Sequence, residues 1–338
     1  MHRAPSARPV RSLPLAAALL FAAVALFATA APRAADWSYR VVEGEGGVPL
    51  NVATAGDPSR PALLLVHGIG QSHLSFEHQL RAPVTDQFFV VSFDLRGHGN
   101  SGKPMEPAAY KDPKLWAGDV RRIMDALGLQ RVVLLGWSYG TLIVSDYLRQ
   151  YGSERLDGIV LVGAYGGLTP PPTPPPAAAA EGMARNRALQ LSANPEDNLA
   201  AARGTAGMLT ARDMGQAWRD RAVAIAMMLP GASRKAMFER ALANMDQIPR
   251  ITVPILINVG GKDGSTQEPF ARELAQKITA QGGRALVSVY PEAGHSPFAE
   301  EPERFNRELM DFARSVQPAA PTAPKKPAAR VAQPASVL

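Results

Sequence analysis

The 338-residue chain has no cysteine. That removes disulfides, thiolate metal sites, a cysteine nucleophile and a lipidated N-terminal cysteine together. It also lacks a basic core. Four arginines (Arg3, Arg8, Arg11, Arg33) and three further cations (Lys325, Lys326, Arg330) lie in two acid-free end segments, and without these seven the remainder carries 29 basic against 30 acidic residues. The formal charge of +6 is therefore no nucleic-acid footprint, and no nucleic-acid partner is expected. Long apolar runs are scarce. The longest, about Leu15 to Ala28, falls short of the roughly 20 residues a membrane span needs. It follows three arginines and precedes the small-x-small site Ala28-Thr29-Ala30. This is the pattern of a signal peptide covering residues 1–30. A periplasmic or secreted protein with no stable span after cleavage is expected. Metal and nucleotide signatures are missing too. His73 and His78 are five apart, about 140° around a helix, and no H-E-x-x-H occurs. Gly44-Glu45-Gly46-Gly47 precedes a strand and not a helix, so it is a turn and not a dinucleotide site. Neither a metal nor a cofactor is expected, and no partner protein is implied.

What is present is alternation. Short apolar, β-branched runs predict strands at 62–66, 88–93, 131–135, 158–162, 255–259 and 285–290, after a leading hairpin at 37–42 and 50–55. Helical patterns fall at about 72–82, 113–128, 139–151, 267–281 and 302–315. Strand–helix alternation predicts an α/β fold with a mostly parallel central sheet and helices on both faces. One interval breaks the rhythm. Residues 164–250 open on the proline cluster Pro170–Pro176 and continue with Ala-, Arg- and Met-rich helical stretches. We read them as a helical cap inserted between two core parts, 31–163 and 251–316. Its methionines fill irregular apolar space or line an acyl pocket. From Gln317 the chain is Pro- and Ala-rich and is expected to be a disordered tail, 317–338.

The stretch Gly136-Trp137-Ser138-Tyr139-Gly140 joins a predicted strand to a predicted helix. In that context G-x-S-x-G presents a nucleophile. A tight turn forces neighbouring backbone together, so the flanking positions must lack side chains. The turn also places Ser138 at a helix N-terminus, where negative charge is favoured. A serine needs a base held by an acid. Of six histidines only His295 follows the last predicted strand, and Asp263 follows the strand 255–259 directly. The order Ser138, Asp263, His295 then makes a complete triad. Oxyanion donors are expected from the amide of Tyr139 and from Ile69 in His67-Gly68-Ile69-Gly70, with Gly68 allowing close approach.

Together these motifs, with Asp94-Leu95-Arg96-Gly97-His98-Gly99-Asn100-Ser101, resemble the α/β-hydrolase superfamily over about residues 36–316. The likeness is greatest to its capped, cofactor-free haloperoxidase, esterase and lactonase-like branch. The resemblance implies structural roles for Asp94, Arg96 and Asp119. It implies a pocket near Ser138 bounded by His67, Gly68 and Trp137. Epoxide hydrolases and haloalkane dehalogenases carry aspartate at the elbow, and Ser138 departs from both. The implied activity is hydrolysis of an ester or related acyl bond in a small, largely apolar molecule. Lactone hydrolysis, perhydrolysis, aminopeptidase action, carbon–carbon hydrolysis and non-catalytic ligand binding on the same fold stay open.

Overall fold

The computed structural model describes residues 37–170 and 177–317. The expected signal segment, most of the proline cluster and the expected tail lie outside them. Eight strands form one sheet in the order β1-β2-β4-β3-β5-β6-β7-β8. β1 (Ser38–Glu43) and β2 (Pro49–Ala55) form the leading antiparallel hairpin, and β2 joins β4 (Phe89–Phe93) antiparallel. The remaining neighbours are parallel: β3 (Ala62–Val66), β5 (Val132–Trp137), β6 (Leu156–Val162), β7 (Ile255–Gly260) and β8 (Ala285–Tyr290). Every residue of β3, β5 and β7 is buried, which is why they read as unbroken apolar runs. Strand alternation divides them between two cores. Leu64, Val66 and Leu134 face one, whereas Leu63, Leu65 and Leu135 face the other.

Four long helices belong to the core, besides the single turns Ala108–Lys111 and Pro297–Glu300: α1 (Pro113–Ala126), α2 (Tyr139–Tyr151), α7 (Glu268–Ala280) and α8 (Pro302–Val316). Between β6 and β7 lie α3 (Ala177–Leu191), α4 (Pro195–Met208), α5 (Gln216–Met227) and α6 (Gly231–Phe238). No strand occurs in that interval among the described residues.

One expected helix is not formed. Residues 72–82 make only a 3-10 turn, His73–Phe76, followed by further turns. Phe76 and Leu80 are fully buried at helical spacing, which imitates an amphipathic period. His73 is instead pulled to Asp94, whose Oδ1 accepts the His73 amide at 2.9 Å and lies 2.7 Å from its Nδ1. That tie to a core loop outweighs the helical propensity of a short segment. His73 and His78 accordingly do not share a long helix.

Candidate active site

The turn between β5 and α2 is strained at one residue. Ser138 has φ 55° and ψ −120°, the only positive φ outside glycine among the described residues. Such a backbone costs on the order of 1–3 kcal/mol and persists only where its surroundings over-determine it. Here they do. The Ser138 amide donates to the Val162 carbonyl at 2.9 Å, and its carbonyl accepts the Thr141 amide at 3.0 Å and Thr141 Oγ1 at 2.6 Å. A Cβ on Gly136 would stand 2.5 Å from the Gly140 carbonyl oxygen, and one on Gly140 would overlap the Val66 carbonyl. Each glycine is thus required by backbone passing against backbone.

Asp263 and His295 lie in the loops that follow β7 and β8. Their side chains are joined, with His295 Nδ1 2.8 Å from Asp263 Oδ2. A carboxylate accepts, so Nδ1 carries the proton and Nε2 is left free as a base. Burial pushes the Asp263 carboxyl up, but hydrogen bonds and charge from His295, with Ser265, outweigh it and hold the group below the ordinary aspartate range. The sequence Asp263-Gly264-Ser265-Thr266 builds a local nest around that carboxylate. Oδ1 accepts the Ser265 amide at 2.8 Å and its hydroxyl at 2.6 Å, and Oδ2 accepts Thr266 Oγ1 at 2.7 Å. Ser265 Oγ also lies 3.1 Å from His295 Nδ1. Asp followed two and three residues later by Ser and Thr is a local side-chain-to-backbone pattern. It was the available signal for these two residues.

Ser138, His295, Ile69 and Tyr139 line one cavity of about 520 Å³. Among the described residues the amides of Ile69 and Tyr139 have no hydrogen-bond acceptor. Ser138 Oγ and His295 share no hydrogen bond in this structure, a common looseness in unliganded sites. The rest of the wall comes from Thr141 and Leu142 of α2, the 163–170 segment, the 265–270 turn, and Phe238, Leu242, Ala243 and Met245 of the insertion. No aspartate, glutamate, lysine or arginine lines it. Of the insertion's methionines only Met245 does so. Met237 is core, and Met183, Met208, Met227 and Met228 are exposed.

Three residues expected in the pocket stand behind it. His67 is fully buried, with Nδ1 2.7 Å from the Gly68 carbonyl and Nε2 accepting the Leu95 amide at 3.0 Å. Burial lowers it to about 4, so it is a neutral brace between the β3 and β4 loops. Gly68 backs Ser138, and a Cβ there would lie 2.9 Å from the serine Cβ. Trp137 is buried, and its Nε1 donates to the His295 carbonyl at 2.8 Å. Trp137 is the last residue of the fully buried strand and packs against Phe76 and Phe298 in the core, whereas Ser138 and Tyr139, which follow it, reach the cavity. Arg96 and Asp119 form a buried pair at 2.7 Å that binds the β4 loop to α1.

The family model for the alpha/beta hydrolase fold matches residues 61–302. The chain belongs to this family, and it is a hydrolase. A candidate aryl esterase from Burkholderia cenocepacia superposes with a TM-score of 0.74 at 28% identity, over 82% of this chain and 99% of that one. The esterase RhEst1 from Rhodococcus sp. ECU1013 does so at 0.70 and 26%, over 83% and 100%. The 3-oxoadipate enol-lactonase 2 of Acinetobacter baylyi is 28% identical over 276 residues, covering 77% of this chain and 91% of the relative.

Proposed function

We propose that the protein is a serine esterase acting on small, neutral, largely apolar esters. The observation that carries this reading is the Asp263–His295 hydrogen bond at the edge of a cavity that Ser138 also lines. Ser138 Oγ attacks the ester carbonyl, and its proton passes to His295 Nε2. Asp263, accepting from Nδ1, keeps the imidazole in the required tautomer and offsets the charge that forms on it. The oxygen of the tetrahedral intermediate is received by the amides of Ile69 and Tyr139, and the latter opens α2, whose dipole adds to the effect. Protonated His295 then gives its proton to the leaving alcohol. Water, deprotonated by the same nitrogen, releases the acid from Ser138.

The neutral character of the substrate follows from the wall. A carboxylate or ammonium carried into a cavity without a counter-charge loses hydration with no replacement. A lactone is an internal ester and would meet the same groups. Names of similar proteins, two esterases and a lactonase, agree with an acyl bond as target. The N-terminal sequence supports export, and N-terminal sequencing of the mature protein checks it, with residue 31 as the expected start.

The deciding experiment is Ser138→Ala assayed with p-nitrophenyl butyrate, alongside labelling by a fluorophosphonate. The expected result is a folded protein with neither turnover nor label. Undiminished turnover would overturn the reading. Normal turnover without the label would point to another nucleophile.

A further inference from the structure

His295 is held from two directions. Its own carbonyl accepts Trp137 Nε1 at 2.8 Å, which ties it to β5. The preceding amide, that of Gly294, donates to Glu300 Oε1 at 2.8 Å. The other oxygen of that carboxylate reaches into the insertion. Oε2 accepts the amides of Ala211 at 2.8 Å and Arg212 at 3.0 Å, both in the link between α4 and α5. Arg212 completes the tie, with Nη1 donating to the Glu300 carbonyl and Nη2 to Glu301 Oε1, each at 3.1 Å. Glu300 is buried. Contact across this junction is direct, since a Cβ on Gly294 would lie 2.6 Å from the Ala211 nitrogen. Glu300 does not line the cavity and takes no part in the chemistry above.

We infer that Glu300 is a positioning residue that makes the placement of His295 depend on the α4–α5 link being seated. The inference rests on His295 acting as the base. An ionised carboxylate can accept on both sides at once, and bonds of this kind are about twice as strong as neutral ones. A carboxamide cannot replace it, because its NH2 would face amide donors on one side or the other. When the link lifts, Glu300 loses the two amides and the arginine that fix it from above, and the His295 loop is left on the Trp137 and Asp263 ties and an acceptor free to shift. Base geometry is then complete only beneath a seated cap. Misplacement by about 1 Å is enough to cost on the order of 10²-fold in rate.

The charged groups around this loop are Asp263, Glu300, Arg212 with Glu301, and the Lys262–Glu292 pair. They allow geometry and charge to be separated. Glu300→Gln removes a negative charge and Arg212→Ala a positive one, so pure electrostatics would move the acid limb of a pH–rate profile in opposite directions. Loss of positioning moves it the same way in both. With p-nitrophenyl butyrate between about pH 5 and 9, Glu300→Gln should lower kcat about 10- to 100-fold with KM within about threefold. Arg212→Ala, at a half-exposed guanidinium, should lower kcat about two- to fivefold, and the double variant should fall short of the product of the two. Both acid limbs should shift to lower pH.

Wild-type kcat and an unmoved acid limb in Glu300→Gln, with only a lower melting temperature, would overturn the inference. So would opposite shifts in the two variants. If Glu300→Gln does not fold, Arg212→Ala decides alone, and an unchanged kcat and limb defeat the proposal. Turnover surviving in Ser138→Ala would remove the catalytic reading itself. An inert Ser138→Ala beside a fully active Glu300→Gln would remove only this one.

Discussion

At the sheet rim, the elbow and the β7 and β8 loops are located by backbone contacts with no spare volume: Gly136 against Gly140, Gly140 against Val66, Gly260 against Gly294. In the insertion, α3 and α4 are Ala-rich, and Met183, Met208 and Met227 of its helices and the flanking Met228, Leu242 and Met245 remain exposed. Its Gly182, Gly207 and Gly215 face open space. The first region tolerates almost no change in shape. The second presents side chains, such as Leu242 and Met245, to a cavity whose chemistry is set elsewhere. Rim substitutions should therefore act on rate and folding, and insertion substitutions on substrate preference.

The sharpest test of that contrast is Ser138→Ala, with an expected loss in kcat of about 10⁴-fold or more. Asp263→Asn comes next. It keeps the shape but offers His295 the wrong hydrogen-bonding partner, and kcat should fall about 10³- to 10⁴-fold while KM changes little. Gly140→Ala should destabilise by about 3 kcal/mol or prevent folding, because its Cβ has no place beside the Val66 carbonyl. Chemical denaturation measures it. A folded, active Gly140→Ala would erase the distinction between the two regions.

A pH scan of stability reaches the rim through His67. Its folded value of about 4 lies below the ordinary histidine value of about 6.5. The unfolded chain therefore binds the extra proton first, and stability falls as pH drops from about 6.5 towards 4, by about 3 kcal/mol. Asp263 acts in the same direction but in a lower pH window, since its folded value is also depressed. Its contribution is present above about pH 4 and is lost as pH falls further, through the folded value. Urea melts at pH 7 and 4.5 should show the first loss, and His67→Gln should reduce it, leaving the share of His98, which burial also holds low. The smallest effect is expected in the insertion. Leu242→Ala should leave p-nitrophenyl acetate turnover within about threefold and weaken longer acyl chains by about 10-fold, the scale of a few lost methylene contacts.

The same contrast accounts for what could be read from sequence. Ala62–Val66 and Ala285–Tyr290 appear at their expected bounds, and Tyr139–Tyr151 likewise, because glycines and turns punctuate continuous apolar runs. The 72–82 segment was misleading because Phe76 and Leu80 bury at helical spacing while a side-chain bond to Asp94 holds the backbone in turns. Motif and order single out Ser138, His295, Ile69 and Tyr139, and these four line one cavity. His67 and Trp137 stand behind the cavity and not in its wall, since sequence spacing does not reveal which way residues at a strand end aim their side chains. Phe238, Leu242 and Phe270 could not be found, because a cavity wall drawn from separate segments leaves no local period.

Trp137 gives the molecule a built-in optical probe. Its indole is 1% exposed, bonded to the His295 carbonyl, and its ring centre is 5.8 Å from that of the imidazole. An imidazolium this close drains excited-state energy from an indole more effectively than a neutral ring does. Under the proposed mechanism, emission from this one chromophore, isolated by replacing Trp37, Trp116 and Trp218 with phenylalanine, should dim and recover during turnover, and steady emission would count against His295 as the base.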